Sequence, residues 1–315
     1  MLELQEIIAA TNRIKKFIHV TPILCSESIN LIINKNVNFK CENFQKTGSF
    51  KARGALNAIL KDIPLGVVTH SIGNHGLALA WAASIASIPC YVVVPPTLNH
   101  LKRSQMEAYG CEIVESDYGT IASRESKCTE MVAKTSFKYV DPCNDVDVMA
   151  GQGSLAPEIM ESNPETEAIL ISIGGGGLSG GISKYLKGTN VKVYCVEVEG
   201  KSLQESMTKG DNLNEKRKDT IKTIADGISR ISIPEACFAE IFENCEKSIL
   251  TVNDNEIKEA MKLIFERLKV VIEPTGAVSL AALIKYKDTV LKDIKNVTLV
   301  ICGGNVNIEQ IGALF

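Results

Sequence analysis

The sequence predicts an α/β protein of two domains, each a parallel sheet flanked by helices, with the site in the cleft between them. Three observations point there. Runs of strand length such as GVVTHS, CYVVVP, AILISI and NVTLVIC are apolar almost throughout instead of alternating; stretches of helical length separate them; and glycine-rich junctions lead from strand into helix. A strand that is apolar on every residue is buried on both faces, which is the condition of a parallel sheet covered by helices.

Taken in order, the amino-terminal MLELQEIIAATNRIKKF reads as an amphipathic helix. Glu3 and Glu6 stand where a secretory leader needs a basic start and an unbroken apolar run. Thr47, Gly48 and Ser49 read as a turn ending in an N-cap, because a serine oxygen there can accept an amide hydrogen of the first turn; the helix then begins at Phe50. A strand at 66–71, a helix at 77–87, a strand at 90–95, a helix at 100–110 and a strand at 111–116 form one unit. The same alternation returns at 168–173, 178–187 and 191–199 and closes with a strand at 296–302. Residues 67–143 are therefore expected to form a small domain inserted into a larger one made of 1–66 and 144–315, and a cleft between two such units is the natural place for a site. The charged stretch DNLNEKRKDTIKT reads as an exposed loop.

Composition narrows the function classes. A chain of 315 residues with 45% hydrophobic content can bury a large core, and a net charge of −3 gives no reason to expect nucleic acid. The ten cysteines show neither a CxxC pair nor zinc spacing, so no metal site and no disulfide framework is indicated, and a reducing cytoplasm fits best. No Lys, Arg, Asp or Glu occurs between Asp62 and Lys102, but Gly66, Gly73, Gly76, Pro89, Pro95 and Pro96 interrupt that stretch. It reads as buried sheet and not as a membrane span, which needs about 20 apolar residues.

The chemistry concentrates in four places. In QKTGSFKARGA, Lys46 falls outside the helix, whereas Lys51 lies in its first turn at the border of the face formed by Ala52, Ala55, Leu56 and Ile59. The positive end of the helix and a part-buried apolar border are both expected to depress an ammonium pKa there, as an amine nucleophile that forms an imine requires. Gly174, Gly175, Gly176 and Gly177 lie between a strand and a helix, where backbone amides and the helix start can receive a phosphate. That loop is ambiguous, since Gly175, Gly177 and Gly180 match GxGxxG and Glu197 lies where a ribose-binding acid would fall, so a nicotinamide-dependent oxidoreductase remains a rival. SIGNHG, from Ser71 to Gly76, gathers amides and the Asn74 side chain to hold a small carboxylate and a ring substituent; His75 is given no proton transfer. Cys302, in CGGNVN, projects from the carboxyl edge of the last strand, where a free cysteine is usually a buried small hydrophobe.

QKTGSFKARGA, SIGNHG, GGGGL, IADGIS and CGGNVN, in this order, resemble the fold type II pyridoxal-phosphate enzymes, the tryptophan synthase β-like fold, and within them the serine racemase and serine/threonine dehydratase branch. The resemblance runs over nearly the whole chain. It implies pyridoxal 5′-phosphate as cofactor, Lys51 as the imine-forming lysine, Phe50 packed on the pyridine ring, Asn74 bonded to the ring hydroxyl, Gly174 to Gly177 around the phosphate and Gly227 beside the ring. Cys302 takes the place of the residue facing the pyridine nitrogen. Ser71, Ile72, Asn74 and His75 would line the substrate, with the amides of that loop on its carboxylate. The implied reaction is β-elimination from L-serine or L-threonine to a 2-oxo acid and ammonia, with serine racemisation as the alternative, in a cytoplasmic homodimer.

Two positions depart from the pattern. Ile72 stands where racemising relatives carry a serine that delivers a proton to the face opposite the lysine, so elimination is expected to outweigh racemisation. Eukaryotic serine racemases hold a divalent cation near the strand that here reads VKVYCVEVE; Glu197 matches one ligand, but Leu203 stands at the downstream acidic one, and no metal is expected. The chain also stops soon after CGGNVN, so the regulatory extension of biosynthetic threonine dehydratases, and control by an amino-acid end product, are not expected.

Overall fold

The apolar runs fold as buried strands of two parallel sheets in this computed structural model, which describes residues 2–98 and 100–315. The strands are β1 (Ile23–Cys25), β2 (Asn36–Cys41), β3 (Val67–His70), β4 (Cys90–Val94), β5 (Glu112–Glu115), β6 (Lys138–Tyr139), β7 (Ala168–Ser172), β8 (Lys192–Val198), β9 (Leu250–Val252) and β10 (Asn296–Ile301). One sheet has the order β1-β2-β10-β7-β8-β9 and the other β5-β4-β3-β6. Only β1, on the edge, runs antiparallel to its neighbour among the described pairs.

Burial explains why these runs need no alternation. In β7, Ala168 and Leu170 enter one core while Ile169 and Ile171 enter another on the opposite face. β3 does the same on a smaller scale, Val67 facing one cluster and Val68 the other. The small sheet lies within 67–143, the unit we assign as the inserted domain. Its core nevertheless takes in Ala52, Ala55, Leu56 and Ile59 from the helix Lys51–Leu60, packed on Leu77 and Trp81. The lysine helix therefore packs in the core of the small sheet although it precedes residue 67. The strands β1, β2, β6 and β9, two to six residues long, carry apolar runs too short to stand out in the sequence.

Two helix starts differ from expectation. The helix after SIGNHG is Asn74–Ala86, three residues earlier than the apolar pattern suggested, because Ser71 Oγ accepts from the Gly73 amide (3.1 Å) and closes the turn at once. The helix expected from Phe50 begins at Lys51, with Phe50 as its N-cap residue and no side-chain cap. Ser49, expected to cap it, keeps its Oγ buried without a partner and instead pairs by backbone with Gly303.

Small residues set the spacing of the site. A Cβ on Gly151 would lie 2.6 Å from the Arg53 carbonyl, and one on Gly181 would lie 2.5 Å from the Met149 carbonyl. The helix Val146–Gly153 thus wedges between the lysine helix and Gly177–Leu186, the helix that follows the glycine loop.

Candidate active site

The carboxyl ends of β3, β7 and β10 open onto one cavity of ≈ 190 Å³, the position at which open α/β sheets gather ligands. Phe50, Lys51, Ser71, Ile72, Asn74, His75, Gly174 to Gly177, Gly227 and Cys302 all line it. The fold thus brings together the residues that the resemblance implied for cofactor and substrate, from segments more than 200 positions apart, whereas Lys46, Gly180 and Glu197 do not line the cavity.

Lys51 owes its position to the chain after β10. The Phe50 amide donates to the Cys302 carbonyl (3.1 Å), the Gly304 amide to the Gly48 carbonyl (2.9 Å) and Asn305 Nδ2 to the Thr47 carbonyl (2.7 Å). These bonds hold Gly48 at φ +73°, a conformation glycine adopts without strain. Lys51 Nζ then reaches across the cavity and donates to the Pro142 carbonyl at 2.9 Å, 5.3 Å from the Phe50 ring centroid. The other basic residues of the segment behave differently. Lys46 stays half-buried in the turn, while Arg53 is fully buried between Glu42 and Glu158.

Asn74 donates through Nδ2 to both carboxyl oxygens of Glu273, at 2.9 and 3.1 Å, and accepts from Asn305 Nδ2 at 2.9 Å. Glu273 was not visible in the sequence reading. It precedes Pro274 at the start of the helix Pro274–Tyr286, which marks a helix start but says nothing of what the carboxyl meets. Burial, with Asp226 adding to it, pushes its pKa up to about 7 against the bonds from Asn74 and Cys302. Cys302 Sγ lies 3.9 Å from Glu273 Oε1, and burial next to that carboxyl raises the thiol, keeping it protonated. His75 is buried, with Nε2 3.4 Å from the Val140 carbonyl; burial and the charge of Lys51 push it down to about 3, so the ring is neutral.

Because the folded-state pKa of Glu273 is raised, its protonated form stabilises the fold below about 4.5, and this contribution is lost as pH rises through about 7. We expect Glu273→Gln to flatten that dependence and to gain on the order of 3 kcal/mol over wild type at pH 8 relative to pH 4. Thermal unfolding of cofactor-free protein across that range checks it; parallel curves for the two proteins would rule out titration of Glu273.

The loop at the end of β7 turns through Gly176 at φ +91°. A Cβ on Gly175 would strike Cys143 Sγ at 2.2 Å, whereas one on Gly177 would meet nothing within 4 Å. The loop is thus closed against Cys143 at Gly175 and open at Gly177, a residue of the cavity lining. Two hydroxyls of the lining, Ser179 Oγ and Thr275 Oγ1, are buried without a partner, which is unusual unless a ligand completes them. Arg124 and Arg230 also line the cavity; Arg124 Nε is buried without a partner, and Arg230 Nε donates to Ser232 Oγ at 2.6 Å. Lys102 meets Asp226 across the mouth at 3.1 Å. These groups lay in unremarkable charged stretches of the sequence and carried no signal there.

Among the described residues no group of three or more His, Cys, Asp or Glu side chains is arranged to hold a metal ion, and no helix is long and apolar enough to cross a membrane. Glu197 is buried, with Oε2 accepting from the Leu203 amide at 3.1 Å.

A lysine amine at a helix start, a glycine loop between strand and helix and a neutral thiol at the end of β10 share one cavity, an arrangement that suits a group carrying both an aldehyde and a phosphate. The chain belongs to the family of pyridoxal-phosphate dependent enzymes, whose family model matches residues 14–303. It is 40% identical over 318 residues to the serine racemase of Dictyostelium discoideum, covering 99% of this chain and 97% of that one. It is 39% identical to the serine racemase of Homo sapiens, with 94% and 89% covered. Among solved structures, a pyridoxal 5′-phosphate-dependent aspartate racemase superposes with TM-score 0.94 at 40% identity, covering 98% of each chain. A threonine deaminase from T.th. superposes with TM-score 0.91 at 33% identity, covering 97% of this chain and 99% of that one. The protein is a fold type II pyridoxal-phosphate enzyme, and the nicotinamide reading of the glycine loop falls. The residues present fit the group, since the open side of the glycine loop and the two unpartnered hydroxyls lie in the same cavity as the lysine.

Proposed function

We propose that the protein is an amino-acid racemase of the serine racemase type, exchanging the proton at Cα of serine or another small polar amino acid. The names of its relatives support racemisation over the dehydratase reading favoured by the motifs. The observation that carries chemistry at Cα is the Lys51 amine, held by the Pro142 carbonyl inside the cavity. A second reading, β-elimination to a 2-oxo acid and ammonia, is favoured by Ile72, which lines the same cavity without a proton to give.

The cofactor supplies an aldehyde that bonds the substrate nitrogen and a conjugated ring that takes up the electron pair left at Cα. Gly174 to Gly177 would hold its phosphate, with Phe50 and Gly227 beside the ring and Asn74 at its hydroxyl. Ser71 and the loop amides would orient the substrate carboxylate, with Ile72 and His75 shaping the pocket. Lys51, freed as an amine, would remove the Cα proton on its own face. Cys302, kept as a thiol, would face the ring nitrogen without holding a second proton there as an acid partner would, which disfavours transamination. Arg124 and Arg230 would meet the substrate side chain, so a polar or acidic one suits the pocket better than an apolar one. We also take the protein to act as a homodimer in the cytoplasm; light scattering on the purified protein checks the dimer.

The test is incubation with L-serine and with L-aspartate, quantifying D-isomer, 2-oxo acid and ammonia in one sample. D-isomer as the main product supports racemisation; 2-oxo acid with negligible D-isomer replaces that reading with elimination. Ile72→Ser is expected to raise the ratio of D-serine to pyruvate about tenfold or more, general acid–base groups contributing on the order of 10²–10⁴-fold. An unchanged ratio would remove Ile72 from the face opposite Lys51.

A further inference from the structure

Beneath the glycine loop lies a lysine to which the reaction gives no role. Lys201 follows β8, and its Nζ runs back beneath the glycine loop to donate to the Ile173 carbonyl at 2.7 Å and the Gly174 carbonyl at 3.4 Å. Glu197 lies at the end of the same strand and is buried. Burial lowers the Lys201 ammonium to about 8, against the pull of Glu197, so it is charged at neutral pH. A lysine confined this way gives up solvation and side-chain freedom, and a surface position would have cost neither.

The peptide geometry shows what the ammonium does. In a trans peptide the carbonyl and the next amide hydrogen point in opposite directions. When the Ile173 carbonyl turns down to Lys201, the Gly174 amide turns away from it, and the Gly174 carbonyl sets the Gly175 amide in the same way. Among the described residues, the amides of Gly174, Gly175 and Gly176 donate to no backbone carbonyl. A cation bonded to one end of a peptide group also polarises it and strengthens the hydrogen bond given at the other end. In a loop of glycines, which has the widest freedom of any backbone, such an anchor replaces the constraint that side chains would impose.

We propose that Lys201 is a positioning residue for the cofactor phosphate, a tethered cation under the glycine loop. It orders the loop amides toward the phosphate and adds a positive charge behind them, without touching the ligand. The proposal rests on the glycine loop being the phosphate site, so the experiment separates the two. Cofactor-free protein is titrated calorimetrically with pyridoxine 5′-phosphate, which carries the phosphate but no aldehyde and so reports the loop without Lys51. Lys201→Met is expected to weaken binding about tenfold in sodium buffer. Ammonium at about 0.1 M is expected to recover part of that loss by entering the space the side chain vacates, and to change wild-type affinity by less than about twofold. Wild-type affinity in the variant, or a loss that ammonium does not reduce, overturns the proposal. Gly177→Asp, which puts a carboxylate into the open side of the loop, is the control. If it leaves affinity unchanged, the phosphate lies elsewhere and the loop assignment is what failed. If it abolishes binding while Lys201→Met does not, the loop assignment stands and the tethered cation falls. Should the methionine variant not fold, Lys201→Leu, which likewise removes both the donor and the charge, carries the same test; failure of both to fold would make Lys201 a structural residue and sink the idea.

Discussion

Lys51→Ala is expected to lower turnover of the amino-acid substrate by on the order of 10⁴-fold, because the amine both binds the cofactor and moves the Cα proton in the reading adopted above. Stability should change little. The side chain makes one hydrogen bond, to the Pro142 carbonyl, and its removal leaves the bonds from Phe50, Gly304 and Asn305 that hold the helix start. Exchange of the substrate Cα hydrogen for deuterium reads the chemical step directly. A variant that kept exchange within tenfold of wild type would make another group the base. Borohydride reduction is a second readout: the wild-type protein should be labelled at Lys51, and the variant should not.

Arg53→Met is expected to destabilise the fold by about 3–5 kcal/mol, the usual result of removing one partner from a buried ionic network. Arg53 bonds Glu42 at 2.7 and 2.8 Å and Glu158 at 2.6 and 2.9 Å, and Lys40 meets Glu158 at 2.7 Å. Without the guanidinium, two carboxylates would face a single ammonium. The pH dependence has a definite sign. Burial would raise the Glu158 pKa, but bonds and charge from Arg53 and Lys40 outweigh it and hold it low. That contribution to wild-type stability is present above the ordinary carboxylate range and is lost as pH falls through the depressed value. In the variant the unpaired carboxylates take up protons instead, so the gap between the proteins should narrow from pH 7 toward pH 4. Denaturant unfolding at both pH values measures it, and a gap that widens would contradict the charge argument. Arg53→Lys should recover little, since a point charge cannot reproduce two forked pairs.

These two residues show how far the sequence could be read. Lys51 and Arg53 are two positions apart in one basic stretch, and helix geometry separated them only by placing Lys51 at the border of the apolar face. That Arg53 would be the more deeply buried of the two depends on Glu42 and Glu158, which come from elements more than 100 positions apart. Ser49 shows the limit differently. Its identity and position matched an N-cap, but the chain after β10 bonds the Phe50 amide, and that long-range contact displaced the local one. Glu273 carried a helix-start signal and nothing about Asn74.

By itself, the sequence determined the two parallel sheets, the glycine loop and the lysine, because fully apolar strands, glycine runs and a turn before a helix are local patterns with local causes. Tertiary structure decided which charges became neutral, paired or anchored: the thiol of Cys302, the raised carboxyl of Glu273, the forked bonds of Arg53 and the ammonium of Lys201 beneath the loop. The physical reason is that burial and electrostatic pairing depend on what the fold places within a few ångströms, and those neighbours are distant in the chain.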